Sequence, residues 1–131
     1  MSAMKNPYKP ENYNSVSPYL IVNGAQKMVD LLVQLFDAEP LRRYDRPDGT
    51  IMHTELRIDD SVIMLSDATE QWPAVTVIMH VYVPDVDKVY ERAISLGCKP
   101  SQAPRQQEGD PDRRGTFIDF TGNMWSVSTQ L

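Results

Sequence analysis

Two histidines and one glutamate are the residues of this chain best suited to proton transfer or metal binding near neutral pH. His53 and Glu55 stand two apart in Ile51-Met-His-Thr-Glu-Leu-Arg-Ile58, and His80 lies in Ile78-Met-His-Val-Tyr-Val83. Both stretches are apolar and β-branched enough to read as strands. In a strand, side chains two apart share a face, so His53, Glu55 and Arg57 project together, as do Ile78, His80 and Tyr82. Two imidazoles and a carboxylate suffice for a metal site or an acid/base group only if they converge. Their spacing alone equally suits hydrogen-bonded lining residues, with Glu55 paired to an arginine.

The elements that must position them follow from periodicity. The chain has 131 residues and a net charge of −5, with thirteen basic against eighteen acidic side chains, 41% hydrophobic and 24% charged. This is ordinary composition for one globular domain. An acidic chain has no basic field for phosphates, so nucleic acid is not an expected partner. No apolar run approaches the roughly 18 residues that cross a bilayer, so no membrane association is expected. One cysteine cannot close an intrachain disulfide, which points to reducing cytosol and a cytoplasmic protein.

Residues 1–15, with two prolines and no apolar period, read as an extended arm whose Tyr8 and Tyr13 can pack on the body. The domain is expected over 16–131. A strand is expected over Val16–Val22. Apolar residues at 25, 28, 29, 32, 35 and 36 then predict a helix over 24–37. Pro40–Tyr44 resumes extended chain, Arg46-Pro-Asp-Gly49 marks a turn, and Ile51–Ile58 and Val62–Ser66 form a hairpin. Residues 67–76 connect to a second copy of the plan. It comprises a strand at Ile78–Val83, a helix from Val86 ending at Gly97, extended chain over Lys99–Pro104, a polar loop over 105–114, and a hairpin of Thr116–Phe120 with Met124–Thr129. Val22 matches Val83 and Met64 matches Ser126, at shifts of 61 and 62. The expected architecture is α+β, with two βαβββ modules at about 16–67 and 77–130.

Pro18-Tyr-Leu-Ile-Val22, Ile51–Ile58, Asp60-Ser-Val-Ile-Met-Leu65, His80-Val-Tyr-Val83 and Gly122-Asn-Met-Trp-Ser126 resemble the vicinal oxygen chelate superfamily. That superfamily contains glyoxalase I, bleomycin-resistance proteins and extradiol dioxygenases, and the resemblance is closest to its PhnB-like branch. It covers about residues 16–130. It implies paired modules curving into a cup with helices on the outer face, usually completed in a homodimer. The family's four metal-ligand positions would fall on Ser17, Met64, Ile78 and Ser126, none of which is His, Glu or Gln. The expected cofactor is therefore none, with a displaced metal site at His53, Glu55 and His80 as the alternative. The family's Asp-Pro-Phe-Gly-Asn turn reads Asp119-Phe-Thr-Gly-Asn123 here, keeping the glycine alone of the middle three residues.

Within such a cup, alternation assigns the lining. The expected ligand-binding residues are Tyr19, His53, Glu55, Arg57, Met64, His80, Tyr82, Phe117 and Ser126, with His53, Glu55 and His80 as the catalytic candidates. Trp125 alternates onto the helix side, Cys98 reads as a bland thiol, and Arg105, Arg113 and Arg114 flank the polar loop. Three functional readings remain open: metal-free binding of a small, partly apolar molecule in a dimer cup, an enzyme with a shifted His/Glu site (a lyase, isomerase or dioxygenase), and an interaction domain with a vestigial cavity.

Overall fold

The computed structural model describes residues 8–131; the first seven residues of the expected arm lie outside the described residues. The order is β1 (Tyr19–Val22), α1 (Ala25–Phe36), β2 (Glu39–Asp45), β3 (Ile51–Ile58), β4 (Ser61–Asp67), β5 (Ile78–Tyr82), α2 (Val86–Ser95), β6 (Lys99–Gln106), β7 (Asp112–Ile118) and β8 (Met124–Gln130). Two four-stranded mixed sheets result, ordered β1-β4-β3-β2 and β5-β8-β7-β6. In each, the first strand pairs in parallel with the last, and the other pairings are antiparallel. This is the expected α+β fold of two βαβββ modules. Each helix covers one face of its own sheet, the helices touch each other, and Phe36 of α1 reaches Trp125 of β8 with ring centroids 5.4 Å apart. One apolar core therefore serves both modules. The opposite, helix-free faces carry the candidate site residues.

The helix ends show how the copies were built with different chemistry. α1 starts after Gly24 in the left-handed region, which offers no side-chain cap. Asp67, at the end of β4, supplies the acceptor instead: its Oδ1 takes the Ala25 amide at 2.8 Å and the Gly24 amide at 3.2 Å, while Oδ2 takes the Ile51 amide at 2.7 Å. A carboxylate at a helix N-terminus both satisfies orphan donors and complements the dipole. In the second copy Thr129 takes that role, accepting from the Val86 amide at 2.9 Å, and Asp85 caps Lys88. α2 closes on Gly97 (φ 99), with the Cys98 amide bonded to the Ala93 carbonyl and the Gly97 amide to Ile94. That is a Schellman ending, as the glycine after the last apolar residue predicts.

Two expectations need correction. The segment 105–114 is only in part a loop: β6 runs on to Gln106 and β7 begins at Asp112. Polar composition concealed an edge pairing that tolerates Pro100 and Pro104 through register shifts. Gly115 admits the second of these, since a Cβ there would lie 3.1 Å from the Pro104 ring. Phe117 does not line a helix-free face. It pairs with Trp125 across β7 and β8, is fully buried, and meets Tyr90 of α2 edge-on.

Candidate functional site

On the helix-free face of the first sheet, β3 presents His53, Glu55 and Arg57. Glu55 sits opposite Met64 of β4 and His53 opposite Tyr44 of β2. Glu55 is only 3% exposed although the helices lie on the other side. Its Oε2 accepts from His53 Nε2 at 2.8 Å and its Oε1 from the Tyr13 hydroxyl at 2.5 Å. With the carboxylate ionised, Nε2 carries the hydrogen toward it, and Nδ1 lies 2.9 Å from the Tyr19 hydroxyl. The imidazole lies between Tyr19 and Tyr44, whose ring centroids are 5.5 and 6.3 Å distant. Burial works to raise the Glu55 pKa. The hydrogen bonds from His53 and Tyr13 and the charges of His53 and Arg42 outweigh it and hold the group below the ordinary carboxylate range. Tyr13 moves the other way: burial, then its bond to Glu55, raises its phenol.

Tyr13 belongs to the chain ahead of β1, which folds over this face. The Asn12 carbonyl accepts from Arg57 at 3.3 Å, and the Asn14 side chain accepts from the Val62 amide at 2.9 Å. Val62 is 1% exposed without belonging to the common core.

The second sheet carries a separate cluster. His80 of β5 lies opposite Ser126 and reaches Ser128 Oγ from Nε2 at 3.1 Å. The Tyr82 ring meets His80 edge-on at 4.7 Å, and its hydroxyl donates to buried Asp112 at 2.7 Å. Arg114, on the same face, lies 3.6 Å from Asp112 and 3.4 Å from Asp110. Burial lowers the His80 pKa, the Arg114 charge lowers it further, and Asp112 opposes both. The His80 ring is therefore expected to protonate below the ordinary histidine value of about 6.5, and Arg114→Gln to bring the midpoint back up, both readable from imidazole proton shifts. Because the unfolded chain takes up this proton first as pH falls, the group withdraws stability between the ordinary and the lowered value. An unchanged midpoint in the variant would show that Arg114 does not act on the ring.

His53 and Glu55 thus meet, while His80 has its partners in the other sheet. Among the described residues no group of three or more His, Cys, Asp or Glu side chains is placed to hold an ion. The positions that the resemblance gives to metal ligands do not fit one either. Met64 offers a thioether, Ile78 has no donor and is 73% exposed, and Ser17 and Ser126 offer neutral hydroxyls.

Tyr19, His53, Glu55, Arg57, Met64, His80, Tyr82 and Ser126 all lie on helix-free faces, by strand register; Phe117 alone does not. The sequence does not point to Tyr44 or Asp112, and it puts Arg114 beside a polar loop rather than on a strand face. Pairing β2 to β3 would have exposed Tyr44, and starting β7 at Asp112 would have found the other two. Cys98 is buried and its thiol is pushed up to about 11 by burial, with Asp119 adding to it, which leaves it inert as a nucleophile. Arg113 forms a bidentate pair with Asp87 of α2 at 2.9 and 3.0 Å.

Comparison with known proteins agrees with this geometry. TioX from Micromonospora superposes with a TM-score of 0.72 at 22% identity, covering 90% of this chain and 99% of that one. The fosfomycin resistance protein FosX from Listeria monocytogenes gives 0.65 at 18%, covering 90% and 93%, and the PhnB protein from Bacillus cereus gives 0.67 at 14%, covering 88% and 99%. At these identities the likeness is one of fold. In sequence, uncharacterized proteins of Mycobacterium bovis and Mycobacterium tuberculosis are 33% identical over 124 residues, which span 86% of this chain and 81% and 72% of theirs. The family model for the Glyoxalase/Bleomycin resistance protein/Dioxygenase superfamily matches residues 13–127, and the chain belongs to that superfamily.

Proposed function

We propose that this protein binds a small, partly apolar organic molecule without a metal, in a cytosolic homodimer whose cups are walled by the helix-free faces. One observation carries the reading. Tyr19, Tyr44, Tyr82 and Ile78 are 43%, 52%, 61% and 73% exposed on these faces, around imidazoles already fixed by hydrogen bonds. Apolar side chains left open on a folded surface mark a face that something covers. A few placed polar groups inside an aromatic lining are how small-molecule sites obtain orientation. Among the described residues no helix is long and apolar enough to cross a membrane. FosX has been crystallised with Mn(II), and that protein's metal chemistry is not carried over, because Ser17, Met64, Ile78 and Ser126 offer no imidazole or carboxylate here.

The test is a titration of metal-free protein with planar aromatic compounds, followed at the His53 and His80 ring protons. Saturable shifts are expected, in a particle with twice the 14.9 kDa chain mass by light scattering. Binding that appears only after a divalent ion is added, or a mass of one chain at micromolar concentration, would overturn the reading. A second reading, proton-transfer catalysis, is favoured by the Glu55–His53–Tyr19 chain of hydrogen bonds, in which a carboxylate orients the imidazole and the imidazole can accept the phenol proton. Turnover of a bound compound, lost by 100-fold or more in His53→Ala, would establish it.

A further inference from the structure

We infer that Tyr13 stands in the place of the ligand, and that the helix-free face of the first sheet is a site for a neutral phenol, which must displace the arm to enter. The inference rests on the small-molecule reading above and names its ligand class.

Glu55 is nearly inaccessible, yet it lies on the face away from the core, and among the described residues one of its oxygens is matched only by the Tyr13 hydroxyl. A buried carboxylate oxygen demands a donor, so whatever replaces Tyr13 must bring one. The Arg42 guanidinium lies 5.5 Å from the centre of the Tyr13 ring, where a cation favours an aromatic face. Val62, 1% exposed opposite Arg57 and outside the common core, adds apolar surface to this face where its amide meets Asn14 of the arm. Ring, hydroxyl donor and apolar contact together specify a phenol. An aromatic carboxylate would set its own charge against Glu55 and is excluded by the same geometry.

The arm itself is built to be displaced. It contains neither helix nor strand between residues 8 and 18, and Tyr8 and Val16 are 80% and 85% exposed. Among the described residues it is held by the Tyr13 contacts with Glu55 and Arg42 and by three hydrogen bonds, from Arg57 to Asn12, from Val62 to Asn14 and from the Met64 amide to the Pro18 carbonyl. As a tethered competitor it acts at an effective concentration on the order of millimolar, so a free phenol meets a site already occupied.

The test uses the full chain and 4-methylphenol, the side chain of tyrosine as a free molecule. Calorimetry, with His53 ring shifts to locate the ligand, should show at least tenfold tighter binding to Tyr13→Ala than to the unmodified protein. Adding Glu55→Gln to that variant should weaken binding at least tenfold, and toluene and 4-methylbenzoate should not bind. Tyr13→Phe keeps the ring and loses the hydroxyl, and it should show a smaller gain. Unchanged His80 shifts certify that the second sheet is intact, and should Tyr13→Ala fail to fold, Tyr13→Phe decides alone. Equal affinity in the unmodified protein and the variant, with His53 shifting in both, would overturn displacement by the arm while leaving the small-molecule reading standing. No binding of the phenol to any form would overturn the phenol site, and silence of His53 and His80 toward all planar aromatics would remove the broader reading with it.

Discussion

Replacing Asp119 by alanine is expected to lower the free energy of unfolding by about 3–4 kcal/mol. The side chain is 5% exposed and sits where β7 turns toward β8. Its Oδ1 accepts from the Thr121 amide at 2.8 Å, the Thr121 hydroxyl at 2.6 Å and the Asn123 amide at 3.2 Å; its Oδ2 accepts from the Trp125 indole at 2.7 Å. The alanine variant leaves the Asn123 amide and the Trp125 indole as donors in a fully buried setting, each costing about 1–3 kcal/mol. The Thr121 groups, half-exposed, recover water. Asp119→Asn, which keeps an acceptor, should restore part of the loss. Urea unfolding followed by tryptophan fluorescence measures both, and a change below about 1 kcal/mol in the alanine variant would show that the turn holds without its carboxylate. Asp119, Gly122 and Asn123 are what this turn shares with the motif it resembles, and the proline and phenylalanine between them are absent. The Asp119 carboxylate and Gly122 at φ 91 hold the loop without them.

Phe117→Ala is expected to cost about 3–5 kcal/mol, the usual loss for emptying a buried aromatic site. In a domain of this size that lowers the melting temperature by roughly 10–20 °C. Ligand affinity, corrected for the folded fraction, should not change, because the ring lies between α2 and β8 rather than on a helix-free face. A variant of near-normal stability with impaired binding would return Phe117 to the lining and put the register of β7 in error. Calorimetric unfolding beside the aromatic titration separates the outcomes.

The misplacement of Phe117 has a definite origin. Alternation is reliable once a strand's start is known, but a shift of one residue turns every side chain over. β3 was legible because Thr54, Leu56 and Ile58 alternate with His53, Glu55 and Arg57, and the polar set could not face a core. β7 opens with Asp-Arg-Arg-Gly, where both alternating sets are polar and nothing in the pattern says which one is inside. Only the pairing to β8, with Phe117 opposite Trp125 and Thr116 opposite Ser126, decides it. Both helices were legible from apolar spacing, and the duplication from matched registers. The meeting of His53 with Glu55 followed from their spacing by two. The separation of His80 from them is a property of how two sheets share one core, to which no local pattern refers. Nor could composition show that a proline-rich arm would deliver a phenol to Glu55.

The parallel pairing of first and last strand in each module constrains how the chain can fold as it emerges from the ribosome. Tyr19 waits for Met64, 45 residues later, and Ile78 for Met124, 46 residues later. Until β4 has left the exit tunnel, α1 has no Asp67 to take its first amides, and one edge of the apolar face under it is missing. Each half is thus a loop closed at its own ends, in which the early hairpin β3–β4 must form before the first strand can be seated. Long-range closure of this kind slows folding more than the number of residues alone suggests. The first module can complete its sheet while the second is still being synthesised, but its half of the common core stays open until Trp125 arrives to meet Phe36.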